Sequence, residues 1–180
     1  MSRGPVLPGA TVGIVGGGQL GRMLAMEARR MGYRTLVLDP AHDAPAAPVA
    51  DGQLRAALDD PEAIRELARR SDVVTLEWEN ADVDALRALP EGTRLHPGPH
   101  VLEVAQHRVR EKDAARRLGL PTADYRAVGT AGELRTALAE IGTPAVLKTA
   151  RGGYDGKGQW LVRDAAALVV LAGAWSEDVV

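Results

Sequence analysis

Two glycine-rich segments and one acidic segment hold the residues of this 180-residue chain best suited to chemistry. Gly16-Gly17-Gly18-Gln19-Leu20-Gly21-Arg22 satisfies the pattern G-x-G-x-x-G. Glycines let a backbone approach an anion, and a helix that starts there offers free N–H groups to a phosphate. The pattern does not separate a dinucleotide from a sugar phosphate, and a tight turn packing a helix on a strand would also use it. Lys148 ends a predicted strand, and Gly152-Gly153-Tyr154-Asp155-Gly156-Lys157-Gly158-Gln159 follows. Four glycines in seven residues predict a hairpin loop whose N–H groups can cover phosphates. Lys148 would reach an anionic oxygen as a point charge. The spacing before Lys157 is wrong for a Walker loop, and no Ser or Thr follows it. The acidic segment is Glu77-Trp78-Glu79-Asn80, at the C-terminal end of a predicted strand, where open α/β sheets bind ligands. If the strand continues, Glu77 and Glu79 point to the same side and would accept ribose hydroxyls.

These residues need elements to position them. Thr11 to Val15 is an apolar run read as a buried strand. Gln19 to Met31 carries Leu20, Leu24, Ala28 and Met31 on one helical face, with Gly32 as a stop. Thr35 to Leu38 is the next strand, ending at Asp39-Pro40, which completes a βαβ unit. Residues 41–50 read as an Ala/Pro loop. Asp60-Pro61 is a helix start, Asp72 to Leu76 a third strand, and Asp82 to Leu89 a short helix. The prolines and glycine of Leu95 to Pro99 suggest a domain boundary. Beyond it come a helix over Val101 to Leu118 and a strand over Tyr125 to Val128. Thr130 and Glu133 form a capping box opening a helix lined by Leu134, Leu138 and Ile141. Strands at Ala145 to Thr149 and Gln159 to Val162 and a helix from Ala165 to about Ala174 complete the reading. The fold class expected is α/β: a Rossmann-like domain with a parallel sheet over 1–98, then a smaller α+β part over 99–180.

Composition excludes several functions. The chain has no cysteine, hence no disulfide, thiolate metal site or cysteine nucleophile. His42, His96, His100 and His107 match no zinc spacing, so no metal ligand is assigned. Serine occurs three times and never as G-x-S-x-G. Net charge is −2 without a run of like charges, which disfavours nucleic acid as a partner. No signal peptide and no apolar run of membrane-spanning length are present, so a soluble, cytoplasmic protein is expected.

GGGQLGRM, the E-x-E-N segment, QHRVREK, LGLPTADY and VLKTARGGYDGKGQ occur in one order and at distances that resemble the N5-carboxyaminoimidazole ribonucleotide synthetases of the ATP-grasp superfamily. The resemblance runs from Val12 to about Ala172. It implies a pre-ATP-grasp domain followed by the lid part of an ATP-grasp domain. It further implies carboxylation of aminoimidazole ribonucleotide with ATP, bicarbonate and Mg2+ in purine biosynthesis, by a homodimer. It implies that Arg108, Lys148, Gly153, Gly156, Gly158 and Gln159 hold the nucleotide, and that Gly18, Gln19, Leu20 and Glu77 line the ribonucleotide pocket. Tyr154, Asp155 and Lys157 would face the reacting groups. His107 departs from an expected acidic residue and Trp78 from an aliphatic one. The resemblance places the adenine hinge and the magnesium ligands beyond Val180, so this chain alone is expected to be inactive and to expose apolar surface. Three readings compete: a formate-dependent glycinamide ribonucleotide transformylase, an NAD(P)-binding protein resting on the first glycine motif with Asp39, and a non-catalytic ribonucleotide-binding remnant. Binding of glycinamide ribonucleotide, of NADH, or of aminoimidazole ribonucleotide without turnover would distinguish them.

Overall fold

The computed structural model describes residues 4–153 and 156–164. The chain divides into two compact units, Met1–Glu103 and Val104–Val180.

The first unit is built on a four-stranded parallel sheet. Its strands are β1 (Thr11–Val15), β2 (Arg34–Leu38), β3 (Gly52–Leu54) and β4 (Val73–Leu76), in the order β3-β2-β1-β4. β1 lies between β2 and β4, with Ile14 opposite Val37 on one side and Thr75 on the other. Parallel strands need crossovers; residues 39–51 join β2 to β3 without a helix, and helices supply the other two. α1 (Gln19–Arg30) links β1 to β2, and α2 (Pro61–Arg69) links β3 to β4.

Alternation along β1 sends its side chains to both faces. Ile14 packs with Ala25 of α1 and with Val37 in one core cluster. Val15 packs with Ile64 and Leu67 of α2 and with Val74 in another. Both faces of the sheet are therefore covered, as parallel sheets require. α3 (Val83–Arg87) adds Ala85 and Leu86 to the second cluster, and α4 (Pro99–Ala105) adds Leu102.

Helix starts follow local chemistry. The Asp60 carboxylate accepts from Glu62 N at 2.9 Å and Ala63 N at 3.3 Å, with Pro61 at the first helical position. Asp82 caps α3 in the same way, accepting from Asp84 N at 2.8 Å.

In the second unit, α5 (Arg108–Arg117) and α6 (Ala131–Ile141) accompany an antiparallel hairpin of β5 (Ala145–Lys148) and β6 (Gln159–Val162). Leu134 and Ala137 of α6 pack on Leu147 and Val162, together with Val128. The expected capping box forms: Glu133 N donates to Thr130 Oγ1 at 3.1 Å, and Gly129 N to Glu133 Oε2 at 2.6 Å.

The secondary structure departs from the sequence reading in three places. The expected helix over Val101 to Leu118 is broken. His107 is extended, with φ −134° and ψ 110°, and α5 restarts at Arg108, whose N–H bonds Ala150 O at 2.9 Å. The main chain at the break is thus held from both sides, the His107 N–H bonding Val104 O at 3.2 Å while Arg108 bonds the chain just after β5. Residues 121–127 are irregular, and only Val128 makes a bridge, so no strand forms over Tyr125 to Val128. Instead the Tyr125 ring lies under Arg116, 4.3 Å from guanidinium carbon to ring centre, and its hydroxyl bonds Asp113. β3 has no counterpart in the sequence reading. The helix expected from Ala165 lies outside the described residues.

Candidate functional site

In the first unit the candidate residues gather at the C-terminal ends of β1 and β4. Glu77 follows β4, and its N–H donates to Val15 O at 2.8 Å, which sets it beside the turn that follows β1. That turn runs Gly16-Gly17-Gly18 into α1. Its first residue must be glycine on two counts. Gly16 has φ +102°, and a Cβ there would lie 2.2 Å from Glu77 Oε2.

The Glu77 carboxylate lies against the turn, with Oε1 3.0 Å from where a Cβ on Gly18 would stand. It therefore sits at the amino end of α1, where the helix dipole favours a negative charge. Burial nevertheless pushes its pKa above the usual carboxylate value. The N–H of Gly21 pulls the other way, and the negative charge of Asp39 adds to the rise. Asp39 holds the other side of the turn, accepting from Gly17 N at 2.8 Å and from Ala41 N at 2.9 Å.

This arrangement lends the dinucleotide reading no support, because the Asp39 carboxylate accepts from main chain at Gly17 and Ala41 rather than standing free for a ribose. Gln19 and Leu20, by contrast, stand exposed at the first turn of α1, with Leu20 at 61%. Their N–H groups have no intrahelical acceptor. Strand alternation ends at Leu76: Glu79 lies in an exposed turn, so Glu77 and Glu79 do not form a strand pair on one side.

In the second unit the β5–β6 register sets Lys148 directly opposite Gln159, and Val146 opposite Leu161. Opposed residues of an antiparallel pair share a face. One face of the hairpin therefore joins a half-buried lysine and a glutamine at the base of the glycine-rich loop to two apolar side chains, Val146 at 50% and Leu161 at 53% exposure. The other face, with Leu147 and Val162, makes the core.

Arg108 ties the loop base down. Its Nε donates to Thr149 O at 3.2 Å and its Nη2 to Gly153 O at 2.9 Å. The guanidinium thus binds main-chain carbonyls and keeps further N–H groups for another acceptor. Gly156 and Gly158 form the returning arm with positive φ, and Lys157 between them is exposed. Tyr154 and Asp155 lie outside the described residues. A cavity of about 740 Å³ in this unit is lined by Arg108 and Lys148 as well as by Leu134, Val146 and Leu147. Its size and mixed lining suit a small-molecule site.

The residue that sequence reasoning passed over is Thr149, whose hydroxyl is buried beneath both loop arms. Its position directly after Lys148 was the available signal. Among the described residues no group of three His, Asp or Glu side chains is placed to hold a metal ion. None of the described helices is long and apolar enough to cross a membrane.

Comparison with known proteins agrees with this architecture. Residues 9–106 match the ribonucleotide synthetase pre-ATP-grasp domain, and residues 113–179 match the ATP-grasp domain. The N5-carboxyaminoimidazole ribonucleotide synthase of Bacillus subtilis is 47% identical over 168 residues, which is 93% of this chain and 44% of that protein. A crystal structure of the ADP complex of an N5-carboxyaminoimidazole ribonucleotide synthetase superposes with a TM-score of 0.89 at 47% identity, covering 97% of this chain and 47% of the other. The Aspergillus clavatus enzyme in complex with ADP and 5-aminoimidazole ribonucleotide gives a TM-score of 0.82 at 29% identity, over 95% of this chain and 46% of the other. The chain spans less than half the length of these relatives. With both domain matches in sequence order and the Rossmann-like and hairpin units present, the chain belongs to the N5-carboxyaminoimidazole ribonucleotide synthase family of the ATP-grasp superfamily, of which it matches the N-terminal region.

Proposed function

We propose that this chain supplies the ribonucleotide-binding edge and the phosphate-covering loop of an enzyme that carboxylates 5-aminoimidazole ribonucleotide. In that reaction the γ-phosphoryl group of ATP passes to an oxygen of bicarbonate, giving carboxyphosphate and ADP. The amine of the ribonucleotide attacks the carboxyl carbon, the carbon–oxygen bond to phosphate breaks, and the nitrogen loses a proton. The products are N5-carboxyaminoimidazole ribonucleotide and phosphate.

The observation that carries this reading is the Lys148–Gln159 pair at the base of the glycine-rich hairpin, in a chain whose relatives have been crystallised with ADP. Lys148 neutralises phosphate oxygens, and the N–H groups around Gly153, Gly156, Gly158 and Gln159 cover them. Arg108 keeps the first arm in place through Gly153 and offers its remaining N–H groups to the nucleotide. Val146 and Leu161 give a base an apolar surface on the same face. Gln19 and Leu20 offer the first N–H groups of α1 to the ribonucleotide phosphate, beside Gly18, while Glu77 forms the wall of that pocket. Tyr154, Asp155 and Lys157 are the loop residues we assign to the carboxyphosphate and the amine. Mg2+ supplies charge neutralisation for phosphoryl transfer. Among the described residues no group of carboxylates or histidines fits it, and no step is assigned to it.

The test is ADP release by the purified chain with ATP, Mg2+ and bicarbonate, with and without 5-aminoimidazole ribonucleotide, alongside binding of each nucleotide. Release that depends on the ribonucleotide establishes the activity in this chain. Binding of both nucleotides without release leaves the two binding roles and removes catalysis from the chain alone. Failure to bind either overturns the reading.

A further inference from the structure

The glycine-rich hairpin is folded around a single side chain to which the functional reading gives no role. Thr149 is the first residue after β5. Its N–H donates to Gly158 O at 2.8 Å, and its own carbonyl accepts from Arg108 Nε at 3.2 Å. The side chain lies between the two arms. A Cβ on Gly158 would sit 2.6 Å from Thr149 Oγ1, and a Cβ on Gly153 would sit 2.9 Å from it. Thr149 thus crowds a side chain at either glycine, adding to the Lys157 carbonyl near Gly153 and to the positive φ of Gly158.

The hydroxyl itself is anomalous. Thr149 Oγ1 is out of reach of solvent and has no hydrogen-bond partner among the described residues. A buried hydroxyl that has given up water without gaining a partner is disfavoured, and such groups call for an explanation. Valine has nearly the same shape and would fill the space without that penalty. Gly153 and Gly158, close to the hydroxyl, belong to the same two arms that are read as covering phosphate.

We propose that Thr149 is the positioning residue of this loop, its hydroxyl gaining a main-chain partner on the Gly153 or Gly158 arm only in the nucleotide-bound arrangement. The unpaired hydroxyl raises the energy of the arrangement described above. The bond made on binding lowers that of the other, and a ligand draws on exactly such a difference between two arrangements. The proposal rests on the loop's binding nucleotide phosphates, as argued under Proposed function.

The experiment compares the wild-type chain with Thr149→Val and Thr149→Ser, by thermal unfolding without nucleotide and by calorimetric titration with MgADP. Thr149→Val is expected to raise the unfolding temperature by about 3 °C, because the unpaired hydroxyl is gone. The same variant is expected to bind MgADP about five- to tenfold more weakly. Thr149→Ser, which keeps the hydroxyl, is expected to bind within about twofold of wild type. A side chain that merely fills space would move stability and affinity in the same direction. Wild-type affinity in Thr149→Val, or a fall in both quantities, overturns the proposal. A wild-type chain that binds no MgADP overturns the phosphate reading of the loop, and this proposal with it.

Discussion

Gly16 and Glu77 fit together so closely that neither tolerates growth of the other. The missing Cβ of Gly16 leaves the space that Oε2 of Glu77 fills, at 2.2 Å from where that Cβ would stand. Gly16→Ala meets this contact and the φ of +102° together. It is expected to cost about 2–4 kcal/mol of stability. Urea unfolding of the first unit checks this, and a loss below about 0.5 kcal/mol would mean that Glu77 swings away freely.

Glu77 also gives a pH signature. Its carboxyl pKa is raised in the folded chain, chiefly by burial, from an ordinary value of 4.5, with the carboxylate of Asp39 as its charged neighbour. The folded state therefore holds the proton more tightly than the unfolded state. The resulting stability is fully present below pH 4.5 and is lost as pH rises through the folded pKa. Glu77→Gln is expected to remove this descending component from a stability–pH profile. An unchanged profile would mean that the carboxyl is solvated as in the unfolded chain.

Lys148→Met tests the charge at the loop base. Losing a cation that pairs with phosphate is expected to weaken MgADP binding about ten- to a hundredfold. The unfolding temperature should hardly move, since Lys148 shares the face of the hairpin opposite the core. Equal affinity in the variant would take Lys148 out of the nucleotide site.

Arg108→Lys keeps the charge and loses the forked geometry that reaches Thr149 O and Gly153 O together. Amide hydrogen exchange around Gly153 is expected to accelerate by about tenfold or more, with α6 unaffected. Unchanged exchange would show that the two carbonyl bonds do not hold the arm.

Asp60→Ala removes the carboxylate that receives the first N–H groups of α2. A loss of about 1 kcal/mol is expected in denaturant unfolding. The variant leaves both candidate sites intact, so nucleotide binding should be unchanged.

Much of this was legible wherever the deciding interaction is local. The strand–glycine–helix passage at Val15 to Gln19, the Asp60-Pro61 start and the Thr130–Glu133 box each depend on residues a few positions apart. What escaped depends on distant partners. β3 is three residues, Gly52-Gln53-Leu54, with no apolar rhythm of its own, and it exists because β2 offers it a parallel edge. The break at His107 depends on Ala150, 43 positions from it and two residues beyond β5, which accepts the N–H of Arg108. At the candidate sites, the glycine motifs and Lys148 announced anion chemistry by type and spacing. That Glu77 itself lies against the amino end of α1, and that Thr149 shapes the hairpin, required the fold.

The strand order β3-β2-β1-β4 has a consequence for where the first site can be. From β1 the chain leaves over one side of the sheet through α1. From β4 it leaves towards α3, whose Ala85 and Leu86 pack on the other side. The two outgoing connections diverge from neighbouring strands and leave a notch between them at the carboxyl ends of β1 and β4. That notch belongs to the connectivity and not to any residue lining it. Substitutions at Gly18, Gln19, Leu20 or Glu77 change what the notch holds, while its location stays as long as the chain is threaded in this order.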